Sequence, residues 1–455
     1  MSRDRTWAEA RDQRSTRPSA ITQLREQLLS TTVRRAHGKL PVYQELYRGI
    51  DVARVKRVSD LPALPFTDRG MLSVNPRRFV VPGTRPSHLQ LTTGTTGEPL
   101  LLWRCIEEGV AIGTLFGQDD DPIGPQPLAL VVREPHHGTP TGIPVSHFVI
   151  EGSIADDVSI MHTLRLLEQR FDMPGLASRV TLVMGTGMAL RTLVHYASMR
   201  RGALAELPVA AVYSYGDFLP RNVRESLESA WGTRLVDRYS CAEHFGGAGS
   251  TAGNDLYQFD PHIVPEVVGI ESRVPVETGL GVLVLTSLYP FVQCMPLIRY
   301  WTGDLVEVVR NDPESISLLV RLKGRLADAV IAPDSQRVLL SAADVRNALE
   351  GLGGLSYWTR RKDLTAPGID KAIGHPIFRT RLITETTRPR LIVDVAVEPS
   401  ARPEFAKQAV IAMRKECPEL DDALRSEAIV LEVACHRRTD SCGVWSVPSF
   451  IWSTA

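Results

Sequence analysis

The chain has no surplus of charge, no long apolar run and few cysteines, and each shortage excludes a class of protein. Lys plus Arg and Asp plus Glu each number 52 among its 455 residues, so the formal net charge is zero. Broad electrostatic binding of nucleic acid needs a basic surplus, so the balance argues against that partner. Apolar runs stay well short of the ~20 residues that cross a membrane, so no membrane span is expected.

The six cysteines are scattered and form no Cys-x-x-Cys pair, which argues against a zinc site. Cys435-His436 with Cys442 is the nearest approach to a metal cluster, and ordinary reduced thiols are the preferred interpretation. The charged run from Met1 to Thr6 has no apolar stretch behind it, so no signal peptide is expected and a cytoplasmic location is the default.

The composition is ordinary for a globular protein, and the length suits two or three domains. From about residue 128, short apolar runs alternate with helical patterns, which predicts a layered α/β architecture. Strands are predicted at 128–132, 180–184, 282–286 and 305–309. Helices are predicted at 160–170, 191–200 and 221–231, and residues 1–60 are predicted to be helical.

The pattern changes after Asp328, which places a domain boundary near 325–330. The remainder predicts a small α+β unit of helices 341–352 and 403–415 and strands 390–397 and 428–434. Ser341 is the expected N-cap of the first of these helices. Residues 360–387 are polar and irregular, which predicts a loop.

A loop rich in threonine and glycine separates two apolar runs near residue 95. It contains, in order, Thr92, Thr93, Gly94, Thr95, Thr96 and Gly97. Glycines allow a tight turn and close approach to a ligand, and hydroxyls with free backbone N–H groups can face an anion. The pattern therefore predicts a loop that binds the phosphates of ATP, with an ordinary hairpin loop as the alternative. The Walker loop is excluded, because Glu98-Pro99 follows Gly97 in place of Lys-Ser/Thr.

This loop resembles the Thr-Ser-Gly-Thr-Thr-Gly-x-Pro signature of the adenylate-forming enzymes. Four further segments resemble other motifs of that superfamily and follow in the same order, namely 239–243, 277–288, 299–304 and 323–328. Upstream, Leu64-Pro65-Phe66-Thr67 resembles a segment of the phenylacetate–CoA ligase branch. The resemblance covers roughly residues 20 to 350.

The resemblance implies the fold, an α/β protein in two parts. A large multi-layer N-terminal adenylation domain with mixed β-sheets would span residues 1–326. A small mobile α+β C-terminal domain would span 327–455. It also implies ATP and Mg²⁺ as cofactors, with CoA as a further co-substrate. The partners would then be a small carboxylic acid and an acceptor, and a homodimer is an open option.

The same resemblance assigns roles to single residues. Thr92 to Gly97 would hold the β- and γ-phosphates, and Glu243 would bind magnesium through a carboxylate oxygen. Tyr239 would stack on adenine beside Ser240, and Asp304 would accept hydrogen bonds from both ribose hydroxyls. Further contacts to the nucleotide or the acid are assigned to Gly216, Asp217, His244 and Arg325. His244 and Arg325 join Glu243 as candidate catalytic residues.

Three departures from the family pattern bear on activity. Ala242 replaces the hydroxyl residue before the magnesium glutamate, and Ala327 replaces a polar hinge residue. The lysine expected near the C-terminus is missing, because the last lysine is Lys415, inside a predicted helix. Arg437 and Arg438 are candidate substitutes, although arginine has a different donor geometry.

The sequence thus predicts an enzyme that activates a carboxylic acid as an acyl- or aryl-adenylate and releases pyrophosphate. The acyl group would pass to the thiol of CoA, to an amine, or to a protein as in acyl-protein synthetases. The altered small domain favours a role in specialised, secondary metabolism. The alternative from another class is a degenerate protein that binds a nucleotide or acyl-adenylate without turnover.

Overall fold

The structure is a computed structural model. It describes residues 18–91, 100–116, 125–134, 147–200, 203–216, 218–250, 254–311, 318–332, 337–358, 364–369, 373–385 and 387–437. No helix within these residues is long and apolar enough to cross a membrane.

The amino-terminal segment begins with two helices and then wraps onto the main sheet. Its elements are α1 (Pro18–Lys39), α2 (Pro41–Leu46), strand β1 (Thr67–Asp68), α3 (Arg69–Val74), and 3₁₀ turns at Val52–Arg54, Val58–Ala63 and Pro76–Phe79. Leu29, Val33 and Tyr43 lie in one buried cluster with Leu297 and Tyr300. The helical prediction for 1–60 is confirmed from residue 18 onward; residues 1–17 lie outside the described chain.

A hairpin holds the threonine- and glycine-rich loop. Strand β2 (His88–Leu91) pairs antiparallel with β3 (Leu101–Arg104), so that Leu91 faces Leu101. Residues 92–99 join the two strands and lie outside the described part. Helix α4 (Ile106–Phe116) follows directly.

One half of the large sheet is parallel. Its strands are β4 (Gln126–Arg133), β5 (Phe148–Ser153), β6 (Leu176–Thr186), β7 (Ala211–Tyr215) and β8 (Leu235–Ser240), in the spatial order β5-β4-β6-β7-β8. Between them run α5 (Asp157–Glu168), α6 (Gly187–Met199) and α7 (Arg221–Trp231), with a short 3₁₀ turn at Leu204–Glu206. Apolar side chains of these helices and strands form a shared core, including Leu164, Leu193 and Trp231. The strands and helices predicted for this region are confirmed.

The other half of the sheet is antiparallel. Its strands are β9 (Gly247–Ser250), β10 (Tyr257–Phe259), β11 (Ile263–Val268), β12 (Gly279–Ser287), β13 (Tyr300–Arg310) and β14 (Leu319–Arg325). The order continues from β8 as β9-β10-β14-β13-β12-β11, and β1 joins β13 in parallel. The sheet is therefore mixed, as predicted.

A buried arginine joins the amino-terminal segment to this half of the sheet. Arg299 is 2% exposed and pairs through two nitrogens with the Glu266 carboxylate, at 2.9 and 3.1 Å. Its third nitrogen donates to the carbonyl oxygens of Pro62 and Leu64. Burial raises the pKa of Glu266, and the Arg299 charge opposes that rise. The Arg299 backbone has φ 49°, a left-handed conformation that these contacts stabilise.

The carboxy-terminal part folds around its own apolar cluster, which contains Leu349, Val393 and Phe405. Its strands are β15 (Val330–Ile331), β16 (Val338–Leu340), β17 (Tyr357–Trp358), β18 (His375–Pro376), β19 (Phe378–Ile383), β20 (Arg390–Ala396) and β21 (Val430–His436). Its helices are α8 (Ala342–Glu350), α9 (Arg402–Glu416) and α10 (Pro418–Arg425), with 3₁₀ turns at Leu326–Asp328 and Pro399–Ala401. Ser341 caps α8 by accepting the Asp344 N–H at 3.2 Å, as predicted.

The prediction of an irregular loop over 360–387 is wrong over residues 378–383. Strand β19 lies inside that range and pairs with β20 over six residue pairs, from Phe378–Val395 to Ile383–Arg390. The error arose because charged side chains interrupt the apolar pattern of this strand. One of them, Arg381, pairs across the ladder with the buried Asp394 at 2.8 Å.

A strap from the carboxy-terminal part packs into the core of the large part. It consists of residues 364–369 with Ile373, and its buried side chains Leu364, Ile369 and Ile373 belong to the cluster beneath α5 and α6. Two hydrogen bonds fix it: Thr365 Oγ1 donates to Asp157 at 2.8 Å, and His195 Nε2 lies 2.9 Å from the Pro367 carbonyl. The division of the chain near residue 326 stays a prediction, and this strap crosses it.

We expect Ile373→Ala to lower the free energy of unfolding by about 2–5 kcal/mol, because it opens a cavity in the large core. Ile411→Ala is the matched control, since Ile411 is 67% exposed on α9. Urea unfolding monitored by tryptophan fluorescence would measure both. Equal, small effects from the two variants would show that the strap is not part of the core.

Candidate active site

Three residues from separate motifs meet in one buried polar cluster. Asp304 on β13 pairs in register with Arg325 on β14, and Tyr239 reaches them from β8. The Tyr239 hydroxyl donates to Asp304 Oδ2 at 2.6 Å. Arg325 Nη1 lies 3.0 Å from Asp304 Oδ1 and donates to the Thr302 carbonyl at 2.8 Å. We call Tyr239, Asp304 and Arg325 the carboxylate cluster.

Burial sets the electrostatics of this cluster. Asp304 is 2% exposed, and desolvation raises the pKa of its carboxyl group, while the Arg325 charge opposes the rise. Asp304 in turn raises the pKa of the Arg325 guanidinium, which therefore stays charged. The Arg325 side chain is one-third exposed, so the cluster has one face toward solvent. The predicted adenine contact of Tyr239 and ribose contact of Asp304 remain predictions.

Glu243 lies next to this cluster, on the turn after β8. Its Oε1 accepts a hydrogen bond from the Tyr300 hydroxyl at 2.9 Å and lies 4.0 Å from Arg69 Nη1. Its Oε2 accepts from the Cys241 thiol at 3.0 Å. Because Mg²⁺ is commonly held by one or two carboxylates plus substrate phosphates, this single, partly exposed carboxylate fits the predicted ion. The described residues contain no group of three or more His, Cys, Asp or Glu side chains arranged as metal ligands.

His244, the next residue, is buried and uncharged. Its Nδ1 contacts the Ser287 hydroxyl, and its Nε2 has no hydrogen-bond partner among the described residues. Burial, with help from the nearby Arg104 charge, lowers the pKa of His244 to about 3. At neutral pH the His244 ring is therefore uncharged and cannot donate a proton as an imidazolium cation. The catalytic role predicted for His244 stays a prediction, restricted to hydrogen bonding by a neutral imidazole.

Arg104 is a site residue that the sequence did not single out. It ends β3, is fully buried, and donates from Nη2 to the Ala242 carbonyl at 2.6 Å. Its guanidinium lies over the Phe245 ring, 5.6 Å from the centroid. Nε and Nη1 have no hydrogen-bond partner among the described residues. Arg104 thus links the strand that leaves the threonine- and glycine-rich loop to the turn that carries Glu243, a long-range contact with no local sequence signal.

A buried carboxylate balances part of this charge. Glu108 accepts backbone N–H groups from Cys105, Gln293 and Cys294 at 3.0, 2.6 and 2.8 Å. Burial lowers the pKa of the Arg104 guanidinium, and the charges of Glu108 and Glu243 oppose that shift. The hairpin base is therefore held to the segment before β13 by charge and hydrogen bonds.

The remaining predicted residues divide into those placed nearby and those outside the described chain. Gly216 directly follows β7 and has φ 84°, a conformation that favours glycine. Ser240 ends the neighbouring strand β8. Thr92, Thr93, Gly94, Thr95, Thr96, Gly97 and Asp217 lie outside the described residues.

The fold is that of adenylate-forming acyl-CoA ligases. An open conformation of 2-hydroxyisobutyryl-CoA ligase, solved with 2-HIB-AMP and CoA, superposes with a TM-score of 0.65 at 16% identity, covering 92% of this chain and 90% of that one. ATP-bound MatB from Rhodopseudomonas palustris gives a TM-score of 0.53 at 14% identity, covering 77% and 64%.

In sequence the chain is similar to phenylacetate–coenzyme A ligases. The enzyme of Thermus thermophilus is 24% identical over 291 residues, 62% of this chain and 64% of that relative, so the match spans under two thirds of it. The Aromatoleum evansii enzyme is 23% identical over 324 residues, 67% of this chain and 70% of the relative. No protein-family profile matches the chain. The resemblance to the phenylacetate–CoA ligase branch of the adenylate-forming superfamily is confirmed.

We expect His244 to make the protein acid-sensitive. Its pKa is about 3 when folded and near the ordinary 6.5 when unfolded, so the unfolded chain takes up the proton first as pH falls. The stability that neutral His244 provides is therefore present above about pH 6.5 and is lost as pH falls toward 3. Between pH 8 and pH 5 the loss is about 2 kcal/mol.

Urea unfolding in EDTA, at both pH values, would measure this loss for the native protein and for His244→Gln. The variant should lose about 2 kcal/mol less than the native protein over this interval. Parallel losses in the two proteins would contradict a neutral, buried His244. His195→Gln, at a half-buried histidine on α6, is the control.

Proposed function

We propose that the protein is an ATP-dependent acid–thiol ligase that forms an acyl-adenylate and transfers the acyl group to CoA. The observation that carries this proposal is the carboxylate cluster, in which Tyr239, Asp304 and Arg325 meet from three separate motifs. The fold of acyl-CoA ligases and the sequence similarity to phenylacetate–CoA ligases support it.

In the first step, an oxygen of the substrate carboxylate attacks the α-phosphorus of ATP. A bond forms between that oxygen and phosphorus, and the bond from phosphorus to the β-bridging oxygen breaks. The bridging oxygen leaves with the electron pair as pyrophosphate. The task of the protein is to position the two reactants and to stabilise the developing charge.

The chain's own residues divide this work. Asp304 offers carboxylate oxygens to the ribose hydroxyls, and Tyr239, which donates to the same carboxylate, holds it in orientation. Arg325 supplies a permanent positive charge beside the ribose and α-phosphate. Glu243, held by Tyr300 and Cys241, is the residue that would hold Mg²⁺. When bound, that ion neutralises charge on the leaving pyrophosphate.

In the second step, the thiol sulfur attacks the acyl carbon, the carbon–oxygen bond to AMP breaks, and AMP leaves as the thiol proton is lost.

A cavity of about 540 Å³ lies between the large part and helices α8 and α9. Arg337 and Lys415 line it, together with four further cationic and five acidic side chains. The cationic groups among them suit the phosphate groups of CoA. An amine acceptor, giving an amide in specialised metabolism, and a protein acceptor remain secondary proposals, because they rest on the departures in the small part.

The rival proposal is a nucleotide binder without turnover. Ala242 and Ala327 remove polar groups from the family pattern, and Lys415 lies on α9, in the wall of the junction cavity. Against it stands the complete carboxylate cluster, in which Tyr239, Asp304 and Arg325 all remain paired. ATP–pyrophosphate exchange separates the two proposals, since a binder shows thermal stabilisation by ATP but no exchange.

We expect Asp304→Ala to reduce acid-dependent ATP–pyrophosphate exchange by at least about 100-fold, because the ribose loses its acceptor and Tyr239 its partner. Asp255→Ala is the control, since Asp255 is partly exposed and pairs with Arg321 on the same strand as Arg325. Circular dichroism would establish that both variants fold. Unchanged exchange in Asp304→Ala would overturn the assignment of the nucleotide site.

We expect Arg104→Gln to raise the Mg²⁺ concentration needed for half-maximal exchange by about 3–10-fold, because the turn that carries Glu243 loses its tie to β3. Affinity for AMP, measured by calorimetry, should be unchanged, since AMP lacks the β- and γ-phosphates. Arg25→Gln is the control, a buried arginine that donates to the carbonyl oxygens of Asp260 and Pro261. Equal weakening of AMP and Mg·ATP binding would indicate a general structural defect instead.

A further inference from the structure

The zero net charge of the chain conceals a strong segregation of charge. Residues 18–91, the amino-terminal segment that packs on the large sheet, contain 12 Lys and Arg against 5 Asp and Glu, a net charge of +7. Because the whole chain has 52 of each sign, the remaining residues carry a net charge of −7. A separation of this size creates an electric field that attracts acidic partners to one region of the protein surface.

The fold turns the cations of this segment toward solvent. Its apolar side chains, among them Leu29 and Phe79, pack in one buried cluster with Tyr300 of β13. Helices α1 and α2 contact each other, the two 3₁₀ turns between residues 52 and 63 contact α1, and the turn at Pro76–Phe79 contacts α2. The segment is therefore one layer, with an apolar inner side and a charged outer side. Nine of its cations and three of its acids are exposed.

The acids of the layer neutralise few of these cations. Glu45 pairs with Arg78 at 2.6 Å, and Asp51 pairs with Arg54 at 3.4 Å. Asp60 instead accepts the backbone N–H groups of residues 56 and 57, at 2.9 and 2.8 Å. Six exposed cations between residues 39 and 85 form no ion pair within the described part of the chain, and we call them the basic surface. They are Lys39, Arg48, Lys56, Arg57, Arg77 and Arg85.

One edge of the layer forms a wall of the candidate active site. Strand β1 pairs with the start of β13, and the hydroxyl of Tyr300 there donates to Glu243. At the start of α3, Arg69 Nη1 lies 4.0 Å from Glu243 Oε1. Arg77 of the basic surface follows three residues after α3, so at most about 20 Å of chain separates it from Arg69. A substrate tethered to a protein on the basic surface would therefore have a short path to the site.

Three observations favour an acidic protein as the partner. Ten of the 12 cations of the layer are arginines, whose fork of N–H donors suits carboxylates. A nucleic acid or a membrane extends past the layer, so its phosphates would meet the rest of the protein, which carries a net charge of −7. Among the described residues of the layer, the exposed large apolar side chains are Val74 and Leu89, whereas membrane-surface helices insert a broad apolar face.

We propose that the basic surface docks a small acidic carrier protein, and that the thiol of the carrier's phosphopantetheine arm takes the acyl group from the adenylate. The inference rests on the proposed function and adds the partner that delivers the thiol, since this arm ends in the same thiol as CoA. The sulfur attacks the acyl carbon, the carbon–oxygen bond to AMP breaks, AMP leaves with the electron pair, and the thiol proton passes to solvent. Attraction between the two surfaces raises the rate of encounter.

The test is acyl transfer to an acyl carrier protein that bears its phosphopantetheine arm, with an acid that supports ATP–pyrophosphate exchange. Mass spectrometry of the carrier measures the acyl group added. We expect kcat/KM for the carrier to fall at least about tenfold between ~50 and ~500 mM salt, because ions screen the attraction. Exchange should change far less, since it involves no protein partner. The carrier without its arm should inhibit transfer competitively, because it docks but offers no thiol.

Reversal of two charges of the basic surface, Arg48→Glu with Arg77→Glu, should raise KM for the carrier at least about tenfold. Exchange and transfer to free CoA should stay unchanged. Arg48→Lys with Arg77→Lys keeps the charge and should keep most of the transfer, which covers the case in which the glutamate variant folds poorly. The matched control, Arg170→Glu with Arg425→Glu, makes the same change in net charge outside the layer, at side chains 69% and 71% exposed. It should leave KM for the carrier unchanged.

The outcomes separate this inference from the proposed function. Acylation of CoA but not of the carrier, or an equal KM for the carrier in the native and charge-reversed proteins, overturns the inference alone. Tighter binding to a DNA duplex or to phosphatidylserine vesicles than to the carrier, lost on charge reversal, would assign the surface to a phosphate-bearing partner and overturn it too. A dimer that charge reversal dissociates would assign the surface to a second copy of this chain, with the same consequence. No exchange with any acid overturns the proposed function and this inference with it.

Discussion

The buried pair of Arg299 and Glu266 is the interaction on which the arrangement of the large part depends. Arg299 joins three chain segments. Its guanidinium binds Glu266 on β11 and two carbonyl oxygens in the turn before β1, and its backbone leads directly into β13, which begins at the next residue. Breaking such a pair by removing one partner leaves an uncompensated buried charge, which typically costs about 3–5 kcal/mol. Since β13 also carries Asp304 and Tyr300, the same contact sets the position of the proposed nucleotide site.

The sequence was informative wherever a local pattern decides the structure. Continuous apolar runs identified β4 and β6, helical periodicity identified α7 to the residue, and a serine at the start of a helical pattern identified the cap of α8. The family motifs assigned Asp304 and Arg325 to the same nucleotide, and the register of β13 with β14 places the two residues opposite each other.

What the sequence could not supply are contacts whose partners are distant in the chain and chemically unremarkable by themselves. Arg104 follows an apolar strand and gives no hint that it reaches Ala242, 138 residues later. The burial of the strap was also missed, because its flanking sequence is polar and gives no sign that tertiary packing buries Leu364, Ile369 and Ile373.

The strap has a thermodynamic consequence for any movement of the small part. Undocking it would expose Leu364, Ile369 and Ile373, at about 1.5–3 kcal/mol for each buried side chain. A total near 6 kcal/mol would hold the undocked population to roughly one molecule in 10⁴. A rotation of the small part that carried the strap along would therefore be rare in the absence of ligand. A rotation that left the strap in place would have to bend the chain on either side of it, so the strap would act as a fixed pivot.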